Sequence, residues 1–185
     1  MELYEAIHGR RDIEVFSEAC PPRKTVERLI EAATWAPNHH RTEPWRFHVL
    51  AGAGREAMAD AIGAWLVEQG AGEGPPRSAR SKLMRSPVTI AVVQVGSPDD
   101  PERDREDYAA CYCAIQNLLL ATHAEGLVAH LSTGALTTYE GARAFLGVGE
   151  ADRIVSYINL GYARVEAEPK SGAREAAIVG WHWPE

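Results

Sequence analysis

Apolar positions along the chain change period several times, and each change marks an element. In residues 2–8, Leu3, Tyr4 and Ile7 fall on one face, which predicts a short amphipathic helix followed by an extended link through Arg10–Phe16. Pro21-Pro22 interrupts the chain, and Val26, Leu29, Ile30 and Ala33 then recur at helical spacing from Lys24 to about Trp35. Pro37 ends that helix, because the residue before proline is pushed out of the α region. Arg46–Leu50 alternates as a strand does, and Gly52-Ala53-Gly54 turns into a helix over Arg55–Glu68, with Met58, Ala61, Ile62, Trp65 and Leu66 as its apolar side. Residues 70–81, rich in Gly, Pro and Arg, read as a mobile surface loop leading into a short helix near Lys82-Leu83-Met84. Val88–Val95 is apolar almost throughout, the pattern of a central strand covered on both faces.

The longest helix is expected from Arg103 to Glu125. It is apolar nearly all round from Ala109 to Ala121, and therefore buried, with Gly126 as its cap. A short strand over Leu127–Leu131, a small-residue loop over Ser132–Leu136, a helix over Tyr139–Leu146 and a strand over Arg153–Gly161 complete the pattern. The tail from Tyr162 to Glu185 carries Trp181 and Trp183 but little structure of its own, so it needs a surface to dock on, and a partner chain can supply one. Helices and strands mix without strict βα alternation, which makes the class α+β, a single domain over 1–185.

Charge narrows the choice of partners. A net charge of −7 and a pI near 5.5 argue against a general nucleic-acid or anionic-membrane surface. The run Val88–Val95 is far too short to span a bilayer, and the acidic N-terminus is unlike a signal peptide. Three cysteines without framework spacing suit a reducing compartment, so a soluble cytoplasmic protein is expected. Cys111 and Cys113 point about 200° apart on a helix and do not share a metal.

Most candidate chemistry fails on context. Gly52-Ala53-Gly54-Arg55-Glu56-Ala57 fits a dinucleotide-binding turn, but no second strand ending in an acid follows where one is needed. Seven histidines include no H-E-x-x-H, and there is no G-x-S-x-G elbow. Three features remain: Arg10-Arg11, the polar loop between Trp35 and Trp45, and Ser132-Thr133-Gly134. Each alone has a plain structural reading, as a solvated pair, a cap and turn, and a loop.

Together they resemble one family. Arg10-Arg11 after an amphipathic helix is similar to the "RRS-x-R" start of the nitroreductase-like flavoproteins. Glu31-Ala32-Ala33, then Ala36-Pro37-Asn38-His39, then Glu43-Pro44-Trp45-Arg46-Phe47 resemble their "EAA…APS/D…QPW-x-F" block. Gly126-Leu127, Ser132–Leu136, Ile158–Tyr162 and Pro169-Lys170…Arg174…Trp181 fall in the family's order. The short length suits its small bacterial branch.

The resemblance implies a nitroreductase-like fold, with a central mixed, mostly antiparallel sheet flanked by helices. It also implies an intertwined homodimer with an extended C-terminal tail, and FMN bound non-covalently at the dimer interface. Carried over by position, Arg10 and Arg11 face the FMN phosphate and ribityl chain, with Lys170 and Arg174 of the tail adding positive charge. Asp12 and His39 touch the flavin, Trp35 comes from the partner subunit, and Leu131, Ser132 and Thr133 lay their backbone along the isoalloxazine, where amides tune its potential. Ala121–Gly126 matches a stretch linked to the nicotinamide cofactor.

The implied activity is ping-pong hydride transfer from NADH or NADPH to a small electron-poor acceptor such as a nitroaromatic or quinone, with no catalytic side chain required. Another flavin reaction on the same fold (dehalogenation, enoate reduction, flavin breakdown) and a non-catalytic dimer without FMN stay open. The chain departs from the family pattern at Asp12, Glu14 and Glu43, where Ser, Arg and Gln are usual, and three carboxylates aimed at a phosphate would weaken its binding.

Overall fold

The computed structural model describes residues 1–165; Lys170, Arg174 and the rest of the tail lie outside the described residues. Helices α1 (Leu3–Gly9) and α2 (Arg23–Thr34) precede a 3-10 turn at His39–Arg41 and strand β1 (Trp45–Ala51). Helices α3 (Ala53–Glu68) and α4 (Gly74–Leu83) lead to β2 (Val88–Gln94), α5 (Pro101–Ala124), β3 (Val128–Ser132), α6 (Glu140–Leu146) and β4 (Arg153–Gly161).

The sheet runs β1-β2-β4-β3, and every ladder is antiparallel. Its one parallel feature among the described residues is a single bridge between Asp12 and Ala129. β2 sits between two neighbours with all seven residues buried, which is why it reads as an unbroken apolar run. Val88, Ile90 and Val92 pack with α5 and α2 through Ile115, Leu118 and Leu29. Ala91 and Val93, on the opposite face, pack with α3, α4 and α6 through Met58, Ile62, Leu83 and Ala142. Among the described residues no helix is long and apolar enough to cross a membrane.

Two expectations are corrected. Residues 70–81 are a loop only as far as Glu73: α4 begins at Gly74 with Pro75 and Pro76 in its first turn, where a missing N–H leaves no helical bond unmade. Ala79 and Leu83, one turn apart, are buried in the layer that α3 shares, so tertiary packing decides what composition obscured.

Nor is α5 buried all round. Ala110, Cys111, Ala114, Ile115, Leu118 and Leu119 are buried, whereas Ala109 and Gln116 are exposed and Tyr112, Cys113 and Leu120 only half-buried. α1 shows the same openness: Ala6 is buried, but Leu3 and Tyr4 remain 62% and 73% exposed.

Candidate functional site at the two ends of helix α5

β3 is an edge strand, so the backbone groups of Ala129 and Leu131 on the side away from β4 need partners. The segment after α1 supplies them. The Ile13 N–H donates to the Ala129 carbonyl at 3.0 Å, and Asp12 Oδ1 accepts from the Leu131 N–H at 3.0 Å. Asp12 Oδ2 lies 2.8 Å from His130 Nδ1, which is also 3.8 Å from Glu14, and Glu14 in turn pairs with Arg85. The two unexpected carboxylates are therefore spent on an imidazole, an amide and a guanidinium along the outer edge of the sheet. Asp12, Glu14 and His130 lie close enough to suggest a metal, but Glu14 is already paired with Arg85 and Asp12 already accepts from the Leu131 N–H.

On the other side of this segment is a cavity of about 260 Å³, lined by Arg10, Arg11, Leu119, His123, Leu127 and Val128 among others; neither Asp12 nor Glu14 lines it. Its wall is apolar and its rim cationic. The Arg11 guanidinium folds back onto the carbonyls of His8 and Arg10, closing the C-terminus of α1, a favourable place for positive charge. Arg10 makes no ion pair among the described residues.

His123 was not singled out by its sequence pattern. It faces Gly9, where an added Cβ would sit 2.7 Å from the ring, so that glycine is what lets α1 approach α5. The signal that could have found it is a histidine in the last turn of a helix, within the 121–126 stretch already noted.

The polar loop lies elsewhere. Asn38 and Thr42 hydrogen-bond the buried carboxyl of Asp107, near the start of α5. Thr122, which lines the cavity, is fifteen positions further along the same helix, about 22 Å at ~1.5 Å per residue. One chain thus brings together Arg10, Arg11, Asp12, Leu131 and Ser132, with Thr133 just past the end of β3. The loop that carries His39 stays by Asp107, and Trp35 follows Ala32, whose carbonyl accepts from Asn117 at 3.4 Å between the two.

Trp35 is 80% exposed, and His39 stacks edge-on against His40 with ring centroids 3.9 Å apart. His40, Arg41 and Glu43 all hold positive φ, at 63°, 52° and 45°. For non-glycine residues that conformation costs roughly 1–2 kcal/mol each. Such strain concentrates at functional loops. Glu43 does not turn inward: its side chain is exposed, and its N–H donates to Asn38 Oδ1 at 2.7 Å.

The Leu131 N–H donates to Asp12, and Thr133 lies just past the end of β3. Burial pushes the Cys111 thiol up to about 12, aided by Asp107, so it is inert as a nucleophile.

Residues 7–162 match the family model described as the nitroreductase family. The chain belongs to the nitroreductase family. Among its relatives, the Escherichia coli (strain K12) protein named "Putative NAD(P)H nitroreductase YdjA" is 27% identical over 167 residues, which cover 90% of this chain and 91% of that protein. A nitroreductase-like protein from Bacillus cereus superposes with a TM-score of 0.83 at 27% identity over 97% of each chain. A nitroreductase with bound FMN from Bacteroides fragilis superposes at 0.74 with 22% identity over 98% of each chain, a likeness of fold. The α+β architecture is therefore the nitroreductase fold.

Proposed function

We propose that this nitroreductase-family chain is an FMN-dependent NAD(P)H oxidoreductase whose flavin sites form between two copies of the chain. The observation that carries the reading is the division of the site between the two ends of α5. A cavity of about 260 Å³ falls just short of the ~300–1,000 Å³ usual for cofactor-sized ligands. It needs a second wall.

A two-fold pairing across the open stripe of α5 and the exposed face of α1 would lay the Trp35–His39 loop of each copy over the Arg10 cavity of the other. The chain's relatives named as NAD(P)H nitroreductases and its FMN-bound fold neighbour support the same reading. The residues present fit the cofactor: a guanidinium without an ion pair among the described residues, beside a largely apolar wall, with the nearby carboxylates engaged elsewhere.

In this arrangement Arg10 and Arg11, with Lys170 and Arg174 of the tail, hold the phosphate. The end of β3 at Ser132 and Thr133 lies along the ring edge. The partner copy's Trp35 and His39 close the pocket and exclude water. FMN, when bound, supplies the two-electron hydride chemistry. The chain's own residues position NADH or NADPH, and then a small electron-poor acceptor such as a nitroaromatic or quinone, in one shared space, which gives ping-pong turnover. Purified protein should take up FMN, run as a dimer on sizing, and oxidise NAD(P)H with parallel double-reciprocal lines as acceptor is varied. Protein that stays colourless after incubation with FMN refutes the proposal.

A further inference from the structure

The strained loop has a fastener that the flavin reading does not by itself require. Asp107 is 2% exposed and lies on the sheet-facing side of α5, yet no cation pairs with it among the described residues. Its carboxyl accepts from Thr42 Oγ1 at 2.5 Å and from Asn38 Nδ2 at 3.3 Å. Asn38 in turn uses its Oδ1 to hold the Glu43 N–H at 2.7 Å, and its amide lies 3.1 Å from the Thr42 hydroxyl. One buried carboxyl thus ties both ends of the 38–43 segment. Between those ties stand His40 and Arg41, and Glu43 is the tied end; all three hold positive φ, and their own backbone preference would open the loop. Buried polar networks of this kind select one conformation, because breaking any link leaves the others unsatisfied in low dielectric.

We propose that Asp107 is a positioning residue. From inside the core it holds the 38–43 loop in its left-handed form, so that Trp35 and His39 meet the partner's flavin cavity in one fixed arrangement. The proposal rests on the flavin-site reading above for what the loop is presented to, but the fastening itself can be read without flavin.

The test uses the full chain and its D107A and T42V variants, with two readouts. D107A removes the single oxygen, Oδ1, that accepts from both Thr42 and Asn38. It should speed hydrogen exchange at the residue-43 amide at least tenfold, and weaken FMN binding, followed by quenching of flavin fluorescence, by a similar factor. T42V removes one tie and should act in the same direction. Adding R41G and E43G to D107A should restore most of the FMN affinity, since glycine adopts positive φ without strain. A role in core stability alone would lower the melting temperature of D107A without moving either readout and without rescue by glycine, and that result overturns the proposal. If the wild-type chain takes up no FMN, the flavin reading fails by itself; exchange at residue 43 then decides the fastening, which unchanged rates in both variants would refute.

Discussion

Replacing Asp12 by alanine removes two contacts at once: the acceptor for the Leu131 N–H at 3.0 Å and the partner of His130 at 2.8 Å. Hydrogen bonds to charged groups contribute roughly 1.5–3 kcal/mol when well buried. The Asp12 side chain is 50% exposed, and water both screens and replaces these bonds, so the two together are worth about 1–2 kcal/mol. For a domain of this size that corresponds to a fall in Tm of about 2–8 °C. The Ile13–Ala129 hydrogen bond should persist, which makes the loss local rather than global.

Two measurements check the reasoning. Thermal melts give the overall cost. Native-state hydrogen exchange at Leu131 should accelerate about tenfold for each ~1.4 kcal/mol of local opening. D12N keeps an oxygen for the Leu131 amide and should retain most of the exchange protection. A D12A protein that melts with the wild type and exchanges Leu131 no faster would refute the account, and would reopen the possibility that this carboxylate faces the cavity.

Other expectations follow from the same geometry. Gly9→Ala places a methyl 2.7 Å from His123 Nε2 and should destabilise the chain by about 1–3 kcal/mol in denaturant titration, with much of the loss recovered in G9A/H123A. Arg10→Ala should weaken FMN binding about tenfold or more in fluorescence titration while leaving the melting temperature of the apo chain nearly unchanged, since Arg10 makes no ion pair among the described residues. Arg28 holds the Glu125 carboxyl below its ordinary value through a side-chain hydrogen bond. Its folded value is depressed, so the pair contributes above the unfolded carboxylate value and loses that contribution as pH falls through the folded one. The Tm difference between wild type and E125Q should therefore be small at neutral pH, because the pair is exposed, and vanish on the acid side.

Much of the fold could be read along the chain because periodicity is a local property. The spacing of Val26, Leu29 and Ala33 sets the face that α2 buries, and the unbroken run of β2 reports burial on both sides. α4 escaped because Gly74, Pro75 and Pro76 signal a break wherever they are read without their neighbours, and only the packing of Ala79 and Leu83 shows them to be a first turn. The Ala36–Phe47 block and Arg10-Arg11 stood out only together, through their likeness to the family's motifs, because each alone reads as a cap and turn or a solvated pair.

What the chain could not state is direction and distance. Asp12 and Glu14 are close in sequence to two arginines, and on that ground looked hostile to an anion. Only the pairing of their segment with the edge of β3 turns them toward His130 and Arg85. The same pairing gives the Leu131 amide a partner in Asp12, which no spacing along the chain announces. The loop and the arginines, read as walls of one pocket, are held apart by the length of α5, because a helix rises a fixed ~1.5 Å per residue and cannot fold back on itself. Residue type and order along the chain nominated the candidate groups; which of them face each other was decided by a sheet edge and a rigid helix, neither of which exists until the chain has folded.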